Sequence, residues 1–249
     1  MKGEIFEEYS KYYDLLYNDK NYSNEVDYLV SILKTCNVTD GLILELGSGT
    51  GKHGKILAER GYLVHGIERS QLMVAAAVKT NRFTCECGDI RTFNSGRTYD
   101  AVISLFHVVS YITTNEDLKC LFANVACQLN RNGVFVFDFW YTPAVYSQKP
   151  ETRVKRVSDG KISITRLAEP KVNYIDNLVE VVYTIYVHDL CTGGIKKFSE
   201  KHCLRHLSLP EIDSLALSCG FERVIAEEYM SGNNASEKTW GVCVVLKKI

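Results

Sequence analysis

The chain has 249 residues, with 29 Lys and Arg against 30 Asp and Glu, for a net charge of −1. That balance leaves no positive field to meet a nucleic-acid backbone, and the length suits one core of ordinary size carrying an insertion. No apolar run approaches membrane-spanning length, and the opening Met1-Lys-Gly-Glu-Ile-Phe-Glu-Glu8 lacks the apolar centre of a secretion signal. The nine cysteines are odd in number, scattered and mostly embedded in apolar stretches. They read as reduced, buried thiols of a cytoplasmic protein.

In chain order, the first strong signal is Leu42-Ile-Leu-Glu-Leu-Gly-Ser-Gly-Thr-Gly51, an apolar strand running into glycines at 47, 49 and 51. Bare backbone at a strand-to-helix turn lets a ligand lie against the main chain. A dinucleotide site spaces its glycines Gly-x-Gly-x-x-Gly, but Lys52 stands where the last would fall. Glu45, two residues before Gly47, would repel a pyrophosphate, yet it suits an α-ammonium, reached directly or through water. The ligand implied is an adenosyl amino acid.

A helix follows over Thr50–Arg60, then a strand from Tyr62 to Glu68, whose carboxylate can accept from both ribose hydroxyls. Ser70 reads as the N-cap of a helix through Thr80. A third strand, from Arg82, ends at Asp89, placed to accept from an adenine amino group. Arg69, Met73 and Ile90 flank these strand ends and join Glu45, Gly47, Gly49, Glu68 and Asp89 as candidate cofactor residues. Tyr99–Phe106 is a near-continuous apolar strand, Asn115–Leu129 a helix, and Gly133–Trp140 a fifth strand. Strand–helix alternation predicts a doubly wound, mostly parallel α/β sheet with its ligands at the carboxyl edge.

Residues 151–207 change character. Asp159-Gly160 marks a hairpin turn between 153–158 and 161–167, Leu178–His188 alternates, and Cys191-Thr-Gly-Gly194 turns the chain into Ile195–Leu207. This predicts a small antiparallel sheet inserted into a core formed by 1–150 and 208–249. It would cover the acceptor site, and a dimerisation ribbon is a compatible role. Glu211–Cys219 then reads as a helix, and Phe221–Met230 with Thr239–Lys248 as an antiparallel strand pair. No metal site is expected. Cys85-x-Cys87 lacks a second ligand pair, and His202 and His206 alternate along a strand without a nearby acid, which makes them surface or pocket residues.

The glycine turn with Glu45 before it resembles motif I of class I S-adenosylmethionine-dependent methyltransferases, a family with a seven-stranded Rossmann-like sheet ending in an antiparallel hairpin. No Asp-Pro-Pro-Tyr-like motif follows the fourth strand, which points away from base methylation. Tyr13-Asp-Leu-Leu-Tyr17, Lys20-Asn-Tyr22, the segment Ser104–Asp117 and Phe139-Trp-Tyr-Thr-Pro143 are similar to segments of the nucleotide-sugar N,N-dimethyltransferases. Those enzymes dimethylate the 3-amino group of dTDP-linked deoxysugars, and the similarity runs over nearly the whole chain. It implies S-adenosylmethionine as cofactor, Tyr22 near its methionyl end, and Tyr17 and Tyr111 beside the acceptor amine. His107 is a further catalytic candidate. Tyr13 joins the substrate side by the same resemblance, while Trp140 and Tyr141 could stack on a sugar or base and Arg166 could pair with a diphosphate. The chain departs from that family at Glu45, usually Asp, and at Tyr111, where some members carry His. It departs also at Asp138-Phe139, in place of Glu-Pro, and at Ser236-Glu-Lys-Thr-Trp-Gly241.

The sulfonium already activates the methyl group, so the protein must align the acceptor and exclude water, and a strong base is optional for an amine. A sugar hydroxyl or a small amine such as an amino acid is the alternative acceptor, and a non-catalytic S-adenosylmethionine-binding protein the alternative class. A monomer or homodimer is expected, with no nucleic-acid or membrane partner.

Overall fold

A computed structural model describes residues 8–249; nearly all of the opening segment read for a secretion signal lies outside the described residues. Two helices, α1 (Ser10–Leu16) and α2 (Tyr22–Thr35), precede the sheet. The Asn21 side chain caps α2 by accepting from the Asn24 N–H at 3.0 Å. The apolar stripe of α2, which includes Val26, Leu29 and Leu33, is buried.

The core then alternates: β1 (Leu42–Leu46), α3 (Lys52–Glu59), β2 (Leu63–Glu68), α4 (Gln71–Ala76), β3 (Phe83–Cys87), β4 (Tyr99–Ser104), α5 (Asn115–Gln128) and β5 (Leu129–Tyr141). A short helix α6 (Thr142–Gln148) leads to β6 (Arg153–Ser158), β7 (Ile162–Asn173), β8 (Leu178–Asp189) and β9 (Ile195–Leu207). Helix α7 (Leu209–Ser218) starts in a capping box between Ser208 and Glu211, and β10 (Phe221–Glu228) and β11 (Gly241–Lys248) close the chain.

The core sheet has the order β3-β2-β1-β4-β5-β11-β10, parallel through β5 and antiparallel after it. Successive residues of one strand serve opposite faces. Leu44 and Val102 join Phe122, Phe135 and Phe137 on one side, while Ile43 and Ile103 join Leu29, Leu33 and Leu57 on the other. Each such side chain contributes about 1.5–3 kcal/mol by leaving water.

The second sheet grows from the first. Trp140 pairs with Gly241 of β11 on one side and with His206 of β9 on the other, and Tyr141 pairs with Leu207. Strand β9 thus takes the side of β5 that β4 occupies earlier, and β8, β7 and β6 follow antiparallel. The inserted strands therefore stand beyond the carboxyl end of β4.

Two expectations are corrected. Helix α4 stops at Ala76, short of Thr80, because Ala77 turns extended and Thr80 accepts from the Arg82 and Phe83 N–H groups, starting β3. The thiols are not mostly buried. Only Cys85 and Cys243 are, while Cys120 and Cys127 are exposed on the outer side of α5, opposite buried Leu118, Leu121 and Val125.

Glycine at 51 answers to packing. Its φ is 76°, and a Cβ there would stand 2.5 Å from the Phe83 ring, whereas Gly193, with φ 74°, has open space. Gly193→Ala should cost about 1–2 kcal/mol for the left-handed backbone alone, and Gly51→Ala about 1–3 kcal/mol more for overpacking. Denaturant midpoints of the two variants measure the difference; equal losses would remove Phe83 as the reason.

Candidate active site

The tips of β1, β2 and β3 form one end of a cavity of about 430 Å³. Gly47, Gly49 and Gly51 all adopt positive φ. At Gly47 a Cβ would lie 2.6 Å from the Val108 methyls, so that glycine, like Gly51, is demanded by protein packing. Gly49 differs: its nearest neighbour, Met73 Sδ, is 3.9 Å away, and it borders the cavity. The Gly49 N–H donates to Glu68 Oε2 at 3.0 Å and the Ser70 N–H to Oε1 at 2.8 Å. Burial raises the Glu68 pKa. Both oxygens are thus fixed by backbone, with lone pairs left for two hydroxyls of a ligand. Arg69, Met73 and Ile90 line the same end.

Asp89 also lines the cavity, but it is not a free acceptor. Arg91 holds it through Nε at 2.9 Å and through Nη2, and Arg91 Nη1 reaches Asp117 at 2.8 Å. The Arg91 hydrogen bond is the main reason the Asp89 pKa is lowered.

Glu45 is buried and stands behind the wall. Burial first, and then the Glu68 charge, push its pKa up to about 8. His53 is in the wall, with Nδ1 3.9 Å from Glu45 and Nε2 2.7 Å from Glu25. Glu45 thus does not border the cavity itself, and His53 stands between it and the open space. Lys20 Nζ lies 3.1 Å from Glu25 and 3.4 Å from the Phe106 ring centroid. The Tyr22 ring borders the cavity, and its buried hydroxyl lacks a hydrogen-bond partner among the described residues.

The tip of β4 is strained. Phe106 and His107 both have positive φ, 66° and 62°, a cost of about 1–2 kcal/mol each. Asp138, fully buried at the end of β5, accepts the His107 N–H at 3.1 and 3.2 Å and lies 2.7 Å from His107 Nδ1. Strain held in this way is common beside ligand sites.

The other end of the cavity is aromatic. Tyr13, Tyr17, Tyr111, Trp140 and Tyr183 line it with His107 and His202. Arg166 is not in the wall: its Nη1 donates to the hydroxyls of Tyr9 at 2.8 Å and Tyr17 at 3.1 Å, and the guanidinium stacks on Tyr183. Tyr141 is not there either, since alternation along β5 sends it to the core when Trp140 faces the cavity. His202 and His206, expected as surface or pocket residues, are both fully buried, and His202 lines the cavity, so the pocket alternative holds for it and the surface alternative for neither. His202 does have an acid, Glu200, at 3.5 Å, and it meets the Tyr111 hydroxyl at 2.9 Å. His206 lies off the cavity, against Thr142 at 2.9 Å. Among the described residues no group of three metal-ligating side chains forms. Sequence reasoning missed Lys20, His53, Tyr183 and the Glu200–His202 pair.

A family model described as a methyltransferase domain matches residues 43–133. The chain is 26% identical over 223 residues to dTDP-3-amino-3,4,6-trideoxy-alpha-D-glucopyranose N,N-dimethyltransferase of Streptomyces venezuelae, covering 88% of this chain and 91% of that one. It is 25% identical over 223 residues to dTDP-4-amino-2,3,4,6-tetradeoxy-D-glucose N,N-dimethyltransferase of Saccharopolyspora spinosa, covering 88% and 86%. Among solved structures, the S-adenosylmethionine-bound amino pentose methyltransferase CalS10 of Micromonospora echinaspora superposes with a TM-score of 0.77 over 100% of both chains at 22% identity. The residues present fit that cofactor: a backbone-fixed Glu68 for a ribose, bare backbone at Gly49, an apolar slot at Met73 and Ile90, and the unpartnered Tyr22 hydroxyl.

Calorimetry tests the fit. Glu68→Ala should weaken S-adenosylhomocysteine binding about 10- to 150-fold, the loss of one charge-assisted hydrogen bond of about 1.5–3 kcal/mol, and NAD should bind far more weakly. With its pKa near 8, Glu45 is largely protonated at pH 7. A ligand ammonium nearby lowers that pKa, so binding at pH 7 should release protons, and the release should fade as pH rises past 8. Titrations in two buffers of different ionisation enthalpy read it; proton uptake, or NAD binding as tight, would contradict the assignment. The chain is an S-adenosylmethionine-dependent methyltransferase with the class I fold.

Proposed function

We propose that the chain transfers a methyl group to the amino nitrogen of a nucleotide-linked sugar. The aromatic end of the cavity carries this reading. Tyr13, Tyr17, Tyr111, Trp140 and Tyr183 come from α1 and the residue that ends it, β5, β8 and the turn after β4, while the carboxylates that line the cavity, Glu68, Asp89 and Asp117, belong to the adenosine end. Rings seat an ammonium by cation–π attraction but supply no counter-charge. Loss of its proton is thereby easier than in an acid-lined pocket. The relatives in Streptomyces venezuelae and Saccharopolyspora spinosa are named for amino sugars that carry nitrogen at different positions, so they support the class of acceptor and leave its position open.

When bound, S-adenosylmethionine supplies a methyl group on a sulfonium leaving group. Glu68 binds the ribose, the β3 end at Asp89 and Ile90 receives the adenine, and Tyr22 and His53 meet the methionyl end. Arg166 holds the hydroxyls of Tyr9 and Tyr17 in one geometry, so Tyr17 can orient the acceptor nitrogen in line. Such alignment is worth effective molarities of about 10⁵–10⁸ M. Residues 151–207 act as a lid over the core of 1–150 and 208–249, contributing Tyr183, His202 and Leu204 to the wall and shielding the reaction from water. The adenosine end and the catalytic assignments to Tyr17, Tyr111 and His107 are part of the same proposal.

A hydroxyl acceptor is the second reading, and one observation favours it. His107 Nδ1 lies against the buried Asp138, an arrangement that can serve a base acting through Nε2. Incubating dTDP-linked amino sugars and their hydroxyl counterparts with the cofactor separates the two. The amine reading expects one or two methyl groups on nitrogen, located by fragment masses, and none on the amine-free sugars. Methylation of the hydroxyl compounds alone would overturn it.

A further inference from the structure

We infer that Tyr111, His202 and Glu200 form a proton relay that accepts the proton of the acceptor ammonium before methyl transfer, with Tyr111 as the residue that touches the acceptor; this rests on the amine reading above. The three come from distant parts of the chain. Glu200 and His202 are two apart on β9 and share one face of it, while Tyr111 ends the 3-10 turn Val108–Tyr111 that follows β4.

His202 is fully buried, with Nδ1 2.9 Å from the Tyr111 hydroxyl and Nε2 3.5 Å from Glu200 Oε2. Glu200 is itself held, because its Oε1 accepts the Tyr9 N–H at 2.9 Å. The rings of Tyr9 and Tyr183 pack edge-on against the imidazole at 5.8 and 4.6 Å. Among the described residues, other ionisable groups facing the cluster include Arg166 of β7, stacked on Tyr183, and Tyr13 and Tyr17, which both interact with Tyr111. Tyr111 and His202 both line the cavity. Burial keeps the Tyr111 hydroxyl protonated far above neutral pH, so it passes a proton along without becoming a free phenolate.

The balance is simple. An N–H bond of the ammonium breaks and its proton joins Tyr111 Oη, while the Tyr111 O–H proton joins His202 Nδ1. The electron pair left on nitrogen forms the new C–N bond as the S–CH₃ bond breaks, and sulfur keeps the two electrons of the broken S–C bond. The imidazolium beside Glu200 returns its proton to water after product leaves. His107 stands outside this relay, at a strand tip where Asp138 takes its backbone N–H and faces its ring. Within the relay Tyr111 is the residue that touches the acceptor, and His202 and Glu200 act through it.

Single-turnover rates on a methylatable amino sugar, followed against pH, test the relay. His202→Asn and Tyr111→Phe should each lose about 10- to 100-fold at low pH, within the range of general-base effects, and approach the wild-type rate at high pH, where the amine is already neutral. The double variant should be no worse than either single one, and Glu200→Gln should give a smaller loss of the same shape. Unchanged S-adenosylhomocysteine affinity checks that each variant is folded; should His202→Asn fail that check, Tyr111→Phe and Glu200→Gln carry the test. Losses that are uniform across pH, or that multiply in the double variant, overturn the relay while N-methylation by the wild type leaves the amine reading standing. Methylation on oxygen by the wild type overturns both.

Discussion

The carboxylate of Asp138, buried at the end of β5, takes the backbone N–H and the ring of His107 together, and through them holds the end of β4 in a conformation its residues would otherwise avoid. Leaving a buried acceptor of this kind without its N–H partner typically costs about 1–3 kcal/mol, on the scale of the strain in the left-handed residues it holds. The rest of the site leans on that tip. Val108 beyond it packs against the bare α-carbon of Gly47, Phe106 meets the Tyr17 ring edge-on and carries Lys20 on its face, and Ser110 accepts the Trp140 N–H. The cofactor end and the acceptor end are therefore set relative to each other by one strand end.

The two ends use opposite chemistry. Around the glycine turn, backbone N–H groups and buried acids define fixed polar positions, as recognition of a ribose and an amino acid requires. At the far end the wall is rings, with the Tyr17 hydroxyl tied to Tyr9 and Arg166 and the Tyr111 hydroxyl to His202. A wall with few mobile polar atoms reorganises little during reaction, which is what methyl transfer from an activated donor asks of a protein.

The core was legible because local signals agreed with global ones. Strand, glycine turn and helix follow one another within a few residues, so Glu45, Glu68 and Asp89 could be placed at adjacent strand tips without knowing any distant contact. Alternation along β5 could also have assigned Trp140 to the cavity and Tyr141 to the core. What stayed hidden depends on pairings across the chain. Tyr111 and His202 are 91 positions apart, and Arg166 is 149 from Tyr17. Phe106 is neither the glycine nor the asparagine that usually marks a left-handed backbone, and the hold of Asp138 on the His107 N–H beside it is a contact the local sequence does not announce. The cysteines misled for a related reason. An apolar neighbourhood in sequence says nothing of which helix face a residue takes, and Cys120 and Cys127 take the outer one.

The proposed function needs one cavity to seat the cofactor at the glycine turn and the acceptor nitrogen among the tyrosines. The decisive measurement is a crystal structure with S-adenosylhomocysteine and a dTDP-linked amino sugar. The ribose should lie on Glu68 and the sugar nitrogen beside Tyr17 and Tyr111, aimed at the sulfur with room for a methyl group between them. A sugar nitrogen facing away from the sulfur, or an adenine occupying the aromatic end, would contradict it.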